Sequence, residues 1–221
     1  MFKKIKAKIE RLQQERPKLD LSHFDDPLAG EIDWFPLKGG GTNFKTRSLS
    51  KKSFNRYHFK ATLGSLFFSG VFTLCGIGLP LGIILSNDLP IFSLETLGIV
   101  FFGSIFTGVG SLLGYQYLQP VVFDKSVGYF WKGWKEPEMY GRDNPKGAIR
   151  LSEIHAIQIL AEYIRSDNSS YYSYELNLIL RDGSRFNVID HGKLDQMRKD
   201  AEELSSFLGK PVWDLTSHVN R

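Results

Sequence analysis

Cysteine is almost absent from the 221-residue chain, with Cys75 as its single example. One cysteine excludes an intramolecular disulfide and a cysteine-rich zinc site. The sequence also lacks the HExxH, CxxC and GxSxG patterns of metallohydrolases, redox proteins and serine hydrolases. The glycine run 39–41 is followed by Thr42 without the lysine of a phosphate-binding loop, so nucleotide binding is not indicated. The sequence therefore predicts no catalytic residue, no metal site and no cofactor.

Lysine and arginine are missing from residues 61–120, where Asp88 and Glu95 are the only acidic side chains. Residues 1–60 hold 14 basic and 7 acidic side chains, whereas residues 121–221 hold 14 and 15. The net charge of +4 therefore comes from the segment that precedes the uncharged block. This placement favours an anionic lipid surface as the partner of the basic segment. Nucleic acid is not a predicted partner, because the C-terminal part is near neutral and has no basic stripe.

Two long apolar runs fill the uncharged block, at residues 61–86 and 91–118. Each exceeds the roughly 20 residues that a helix needs to cross about 30 Å of hydrocarbon. The connection 87–90 is so short that the two helices must form an antiparallel hairpin. The alternative, two buried core helices of a soluble protein, is weaker because the runs exceed ordinary core-helix lengths.

The distribution of basic residues around the hairpin predicts its orientation. Its tight loop has no lysine or arginine, whereas both flanks are basic: Lys51, Lys52, Arg56 and Lys60 precede it, and Lys125, Lys132 and Lys135 follow it. The positive-inside rule then places both termini in the cytoplasm. No apolar run follows the charges at the N-terminus, so we expect no cleaved signal peptide.

Polar and small residues within the apolar runs predict local roles. Ser93 is expected to cap the second helix, with Glu95 stabilised in its first turn rather than acting as a functional carboxylate. Small residues four apart allow close helix packing, and the candidates are Gly78, Gly82, Ser104, Gly108, Gly110 and Gly114. Either the two helices of the hairpin use these residues, or a homo-oligomer does.

The segment before the hairpin combines a basic helix with irregular chain. Residues 1–18 show a helical apolar stripe of Phe2, Ile5, Ile9 and Leu12, flanked by Lys3, Lys4, Lys6 and Lys8. A basic amphipathic helix of this kind lies on a lipid surface or packs on the protein's own cytosolic domain. Residues 19–60 are turn-rich, with one or two strands leading into the first span. Trp34 and Phe35 either anchor at the lipid interface or pack into the cytosolic domain.

Residues 119–221 predict an antiparallel sheet followed by one helix, which makes the fold class α+β. Strand patterns cover 121–134 and follow residue 150, and Asp182-Gly183 predicts a tight hairpin turn. Asp190 is expected to cap a C-terminal helix whose apolar stripe comprises Leu194, Met197, Ala201, Leu204 and Leu208. Four aromatic residues near the second span, Tyr115, Tyr117, Trp131 and Trp134, predict a membrane-interface belt, with core packing of the two tryptophans as the alternative.

Three stretches carry a resemblance to a known architecture: LSEIHAIQIL, YELNLILRDGSRFNVIDH and KLDQMRKDAEELSSFLGKPVWD. An antiparallel sheet closed by a C-terminal helix resembles the pleckstrin-homology-like (PH-like) plan. Its combination with a hairpin resembles bacterial two-span membrane proteins and is similar in layout to the photosystem I assembly factor family. The resemblance implies a scaffold or assembly role at the bacterial inner membrane, toward an unidentified protein partner, and it carries no catalytic residue.

Three functions compete at this point. The favoured one is a non-enzymatic membrane protein that presents a PH-like interaction domain to the cytosol. The alternative is an immunity protein that protects against a secreted toxin, a role that suits small two-span proteins. An enzyme with a site at Glu153, His155, Asp190 and His191 is disfavoured, because a capping Asp190 beside an exposed His191 explains that pair.

Overall fold

The computed structural model describes residues 20–137, 147–165 and 169–216, and the chain divides into two compact units, Met1–Asp33 and Trp34–Arg221. The described part of the first unit holds a single turn at Ser22–Phe24 and the short helix α1, Pro27–Glu31. Asp26 caps α1, because its carboxylate accepts a hydrogen bond from the Leu28 amide. The basic amphipathic helix predicted for residues 1–18 lies outside the described residues.

Two long helices of the second unit form the antiparallel hairpin. They are α2, Leu63–Ser86, and α3, Leu94–Leu118, and both lie within the predicted apolar runs. Ser93 caps α3 by accepting a 3.1 Å hydrogen bond from the Thr96 amide, and Glu95 lies in the first turn, as predicted. Both helices are long and apolar enough to cross a membrane, and only 11% of the most apolar window of each is buried.

Glycines bring the backbones of α2 and α3 into direct contact. A Cβ atom on Gly110 would lie 2.5 Å from the Thr73 nitrogen, and one on Gly76 would lie 2.5 Å from the Thr107 nitrogen. Gly103 is equally crowded, since the Pro80 ring of α2 fills the space that a Cβ would need. Any larger side chain at these positions forces the helices apart.

The predicted packing residues only partly coincide with this contact. Gly110 lies in it, and Gly114 lies beside Ser69. Gly78, Gly82 and Gly108 have open space where a Cβ would be, and Ser104 is exposed, so the prediction that the hairpin itself uses them is wrong. The residues at the helix contact are spaced alternately by four and by three positions, whereas all the predicted pairs are spaced by four. The use of the outward-facing residues in a homo-oligomer stays a prediction.

Five strands form an antiparallel meander that receives the hairpin: β1 Arg47–Lys51, β2 Arg56–Ala61, β3 Val121–Asp124, β4 Tyr129–Lys132 and β5 Ala148–Arg150. The hairpin is inserted between the paired strands β2 and β3, where Phe59 lies opposite Val121. The predicted domain boundary at residue 119 therefore divides a single sheet.

Four strands form the second sheet, in the order β8-β7-β6-β9: β6 Ile154–Arg165, β7 Ser170–Leu180, β8 Arg185–His191 and β9 Val212–Asp214. Neighbours are antiparallel except for β9, which is parallel to β6. The Asp182-Gly183 turn joins β7 to β8 as predicted, and Gly183 has the positive φ of 80° that such a turn requires.

The core lies between the two sheets and under the C-terminal helix α4, Leu194–Leu208. Phe59, Phe123 and Phe130 of the first sheet are fully buried, as are Met197 and Leu204 of α4. Gly209 ends α4 in the left-handed conformation. The α+β class is thus confirmed, but two sheets, one of them with a parallel edge strand, replace the single antiparallel sheet that the sequence predicted.

We expect Gly110→Ala to loosen the hairpin, because its new methyl group would overlap the Thr73 backbone. Overpacking of this kind costs about 1–3 kcal/mol. The matched control is Gly108→Ala, where the same methyl group meets open space on the same helix. Thermal unfolding of the full chain in mild detergent measures the difference. Equal midpoints for the two variants would contradict this account of the helix contact.

Candidate functional site

Residues 34–41, here called the strap, lie across the face of the second sheet that points away from the core. Trp34 is buried against Trp213, with the ring centroids 6.1 Å apart. The Glu175 carboxylate, which is 2% exposed, accepts hydrogen bonds from the Leu37 amide at 2.9 Å and the Lys38 amide at 3.2 Å. Trp34 therefore packs into the β domain, which was one of the two alternatives for it.

Partly buried polar side chains under the strap fix its position further. Arg185 donates to the Phe35 carbonyl at 2.8 Å and to Gln158 Oε1 at 3.2 Å. Glu162 accepts from the amides of Gly40 and Gly41, at 3.1 and 3.4 Å. The strap therefore covers the polar face of β6 and β7, which is not solvated there. The contacts on this face also fix the position of Lys38.

A cavity of about 630 Å³, here called the junction pocket, lies where the strap, the first sheet, β8 and the C-terminal turns of α3 meet. Its wall carries three cations, Lys38, Arg47 and Lys132, and one carboxylate, Asp190. Leu112, Leu113, Tyr115 and Tyr117 of α3 add an apolar and aromatic side. The pocket therefore has charged side chains on one side and the apolar hairpin on the other.

Arg47 connects β1 to the end of α3. Its Nη1 donates to the Gln119 carbonyl and its Nη2 to the Gln116 carbonyl, both at 2.5 Å. The last carbonyls of a helix have no partner within the helix and carry partial negative charge. The guanidinium satisfies two of these carbonyls and thereby ties β1 to the end of α3.

Lys132 and Asp190 are linked through one amide side chain. Lys132 Nζ donates to Asn187 Oδ1 at 3.3 Å, and Asn187 Nδ2 donates to Asp190 Oδ1 at 2.9 Å. The pKa of Lys132 is lowered to about 8, chiefly by burial, with Lys38 and Arg47 acting in the same direction and Asp190 and Glu175 opposing it. Burial raises the pKa of Asp190 to about 6, with Glu175 acting in the same direction and the two lysines against it.

The predicted aromatic belt is divided by the structure. Tyr115 and Tyr117 line the junction pocket, and Trp134 is exposed. Trp131 is 4% exposed within the first sheet, with the Arg56 guanidinium 5.6 Å above its ring. Core packing, the alternative, therefore applies to Trp131, and its assignment to the belt is wrong.

The predicted roles of Asp190 and His191 are wrong. Strand β8 continues through both residues, so their side chains diverge and the helix begins only at Leu194, with Lys193 at its N-cap. Asp190 binds Asn187 instead of capping the helix. His191 is fully buried, its Nδ1 accepts from the Lys193 amide, and burial lowers its pKa to about 4.

The four residues of the disfavoured enzyme site do not converge. Glu153 is exposed ahead of β6, and His155 lies edge-on against Trp213, 5.7 Å between ring centroids. In the register of the second sheet, Asp190 lies opposite Glu175 and Glu175 lies opposite Leu160. Because Leu160 is five residues along β6 from His155, Asp190 and His155 are far apart. Within the described ranges, no group of three or more His, Cys, Asp or Glu could hold a metal ion.

No protein-family model, no curated protein and no solved structure matches this chain. The function is therefore inferred from the junction pocket and the hairpin themselves. The resemblance to photosystem I assembly factors stays a prediction.

Replacement of Asp190 by asparagine tests the electrostatics of the pocket. Because the folded-state pKa of Asp190 is about 6 and the ordinary value is 3.8, the folded protein loses stability from this group as the pH rises from about 4 to 6. The asparagine side chain does not ionise, so the stability advantage of the variant should grow across that window and level off above it, at about 3 kcal/mol. The measurement is the unfolding midpoint of the full chain at several pH values.

His191 titrates in the same pH range with the opposite sign, because its folded pKa lies below the ordinary value. Both proteins keep His191, so its effect cancels in their difference. Asp195→Asn removes an exposed carboxylate of α4 and serves as the control. A stability difference between Asp190→Asn and the parent that does not depend on pH would contradict the assignment.

Proposed function

We propose that this protein is an integral membrane protein of the bacterial inner membrane, with both termini in the cytoplasm. Its hairpin spans the bilayer, and its β domain is a non-enzymatic interaction module of PH-like architecture that acts as a scaffold or assembly factor. Membrane lipid is one partner, and a protein that binds the β domain is the other.

The exposure of the hairpin is the observation that carries this proposal. Helices α2 and α3 contact each other but leave large apolar side chains uncovered: Phe67 is 74% exposed, Leu74 71% and Phe101 69%. Apolar surface costs roughly 25 cal/mol per Å² in water, and soluble proteins rarely expose continuous patches of this size. A bilayer removes that cost. The alternative of buried core helices would require the opposite burial pattern.

The charges at the two ends of the hairpin support the proposed orientation. The loop contains Asn87 and Asp88 and no basic residue, whereas Arg47, Lys60 and Lys125 lie at the opposite end. Basic residues are retained on the cytoplasmic side. The β domain is attached at that same end, so it lies in the cytosol.

The attachment of the β domain supports a scaffold role. Strand β2 runs into α2 and strand β3 leaves α3, while Arg47 ties β1 to the end of α3. The domain is therefore held against the hairpin and does not hang on a linker. The C-terminal helix α4, packed over the core of the β domain, is the feature that supports a PH-like architecture. A fixed position beside the bilayer suits a protein that arranges others there.

Site-directed labelling tests the orientation. In a chain carrying Cys75→Ser, we expect Asp88→Cys to react with a membrane-impermeant maleimide on intact spheroplasts. The matched Lys125→Cys should react only after the membrane is opened, because it lies at the other end of the hairpin. Labelling of residue 125 on intact spheroplasts would contradict the orientation, and recovery of the chain in the soluble fraction would contradict membrane insertion.

Co-purification tests the scaffold role. The full chain is crosslinked in native membranes, extracted in mild detergent and compared with a mock purification from membranes that lack it. We expect one protein to be enriched in stoichiometric amount. Recovery of the chain alone, with and without crosslinking, would contradict a scaffold. Sensitivity of deletion strains to their siblings would favour the immunity role instead.

A further inference from the structure

We propose that the junction pocket binds the phosphate of an anionic phospholipid from the inner leaflet, with Lys38 and Lys132 as its ligands. The inference rests on the membrane location proposed above and extends it to a specific lipid site. The cavity of about 630 Å³ lies within the range of roughly 300–1,000 Å³ that is typical of ligand sites.

The cations of the pocket are not fully balanced by the protein. Arg47 donates to the carbonyls of Gln116 and Gln119, which carry no net charge, so its positive charge remains in the pocket wall with those of Lys38 and Lys132. Two carboxylates act on these three cations, Asp190 in the wall and the buried Glu175 under the strap, and in the described part of the chain neither lysine ammonium forms an ion pair. The positive charge that remains favours an anionic ligand.

The hydrogen-bonding capacity of the two lysines fits a phosphate. Each ammonium has three donors, and Lys132 uses one of them on Asn187. Phosphate oxygens accept several charge-assisted hydrogen bonds at once. A bound phosphate would also compensate the burial that lowers the pKa of Lys132 to about 8.

The other wall of the pocket favours a lipid over free phosphate. Leu112, Leu113 and Tyr115 belong to the last two turns of α3, and Leu112 lies roughly 9 Å above the helix end at Leu118, given the helical rise of about 1.5 Å per residue. Leu112 is 58% exposed and Tyr115 55% exposed, so the pocket opens along the apolar hairpin. A phospholipid places its phosphate on the two lysines and its acyl chains along this surface.

Lipid retention by the full-length protein tests the proposal. Native mass spectrometry in dodecyl maltoside follows titration with dioleoylphosphatidylglycerol, with dioleoylphosphatidylcholine as the zwitterionic comparison. We expect one phosphatidylglycerol per chain to be retained preferentially. Lys132→Gln should weaken retention about tenfold, because its charge is lost from a partly buried position, and Lys38→Gln should weaken it several-fold, because solvent screens the charge of this exposed lysine. Lys135→Gln, an exposed lysine three residues from Lys132, is the matched control and should retain the lipid normally.

A variant with the opposite sign separates the site from misfolding. Asp190→Asn removes the negative charge from the pocket, so it should tighten retention several-fold, which a damaged fold cannot do. Equal retention by the parent, Lys38→Gln and Lys132→Gln would overturn the proposal. Displacement of the lipid by inorganic phosphate at equal concentration would also overturn it, in favour of a soluble phosphate. The labelling of residues 88 and 125 does not depend on lipid retention, so failure of the membrane orientation would be recognised separately.

Discussion

The fold depends on joining a helical hairpin to two paired strands with almost no connecting chain. Only Thr62 separates β2 from α2, and only Gln119 and Pro120 separate α3 from β3. Paired strands lie about 4.8 Å apart, whereas packed helices ordinarily lie about 8–10 Å apart. The close contacts at Gly76, Gly103 and Gly110 reduce this mismatch, because they let the helix backbones touch. The small residues at the contact between α2 and α3 therefore determine whether β2 and β3 can pair at the base of the hairpin.

The same junction explains why the strap and Arg47 belong to one arrangement. Arg47 satisfies carbonyls at the end of α3, and the strap covers the polar side of the second sheet through Glu175 and Glu162. A buried carboxylate that loses its partners is strongly destabilising, so Glu175 holds the strap in place as much as the strap shields Glu175. The junction pocket is the space between the Arg47 contacts at the end of α3 and the strap contacts with Glu175 and Glu162. Its position is thus a consequence of how the β domain meets the hairpin.

Local periodicity predicted the parts whose partners are close in sequence. The apolar runs, the Asp182-Gly183 turn and the stripe of Met197, Ala201 and Leu204 were predicted correctly, because each depends on neighbours a few residues away. The pairing of β2 with β3 across the whole hairpin depends on a contact between distant segments, and no pattern in residues 56–61 specifies it. The helix contact did leave a signal, since Ser69, Thr73, Gly76 and Pro80 face Gly103, Thr107, Gly110 and Gly114 at matching intervals of four, three and four.

The candidate site was the least predictable part, for a physical reason. From the sequence, Lys132 is a basic residue that flanks the hairpin and Asp190 is a candidate helix cap. The sequence alone does not show that the strap, the strands and α3 meet at one pocket. Burial then changed their chemistry, lowering the pKa of one and raising that of the other. Charged groups with both pKa values displaced toward neutrality reduce stability at pH 7, and a fold gains nothing from them in isolation. The buried position of Lys132 is explained if a ligand supplies negative charge beside it, and the apolar wall of the pocket indicates that this ligand has acyl chains.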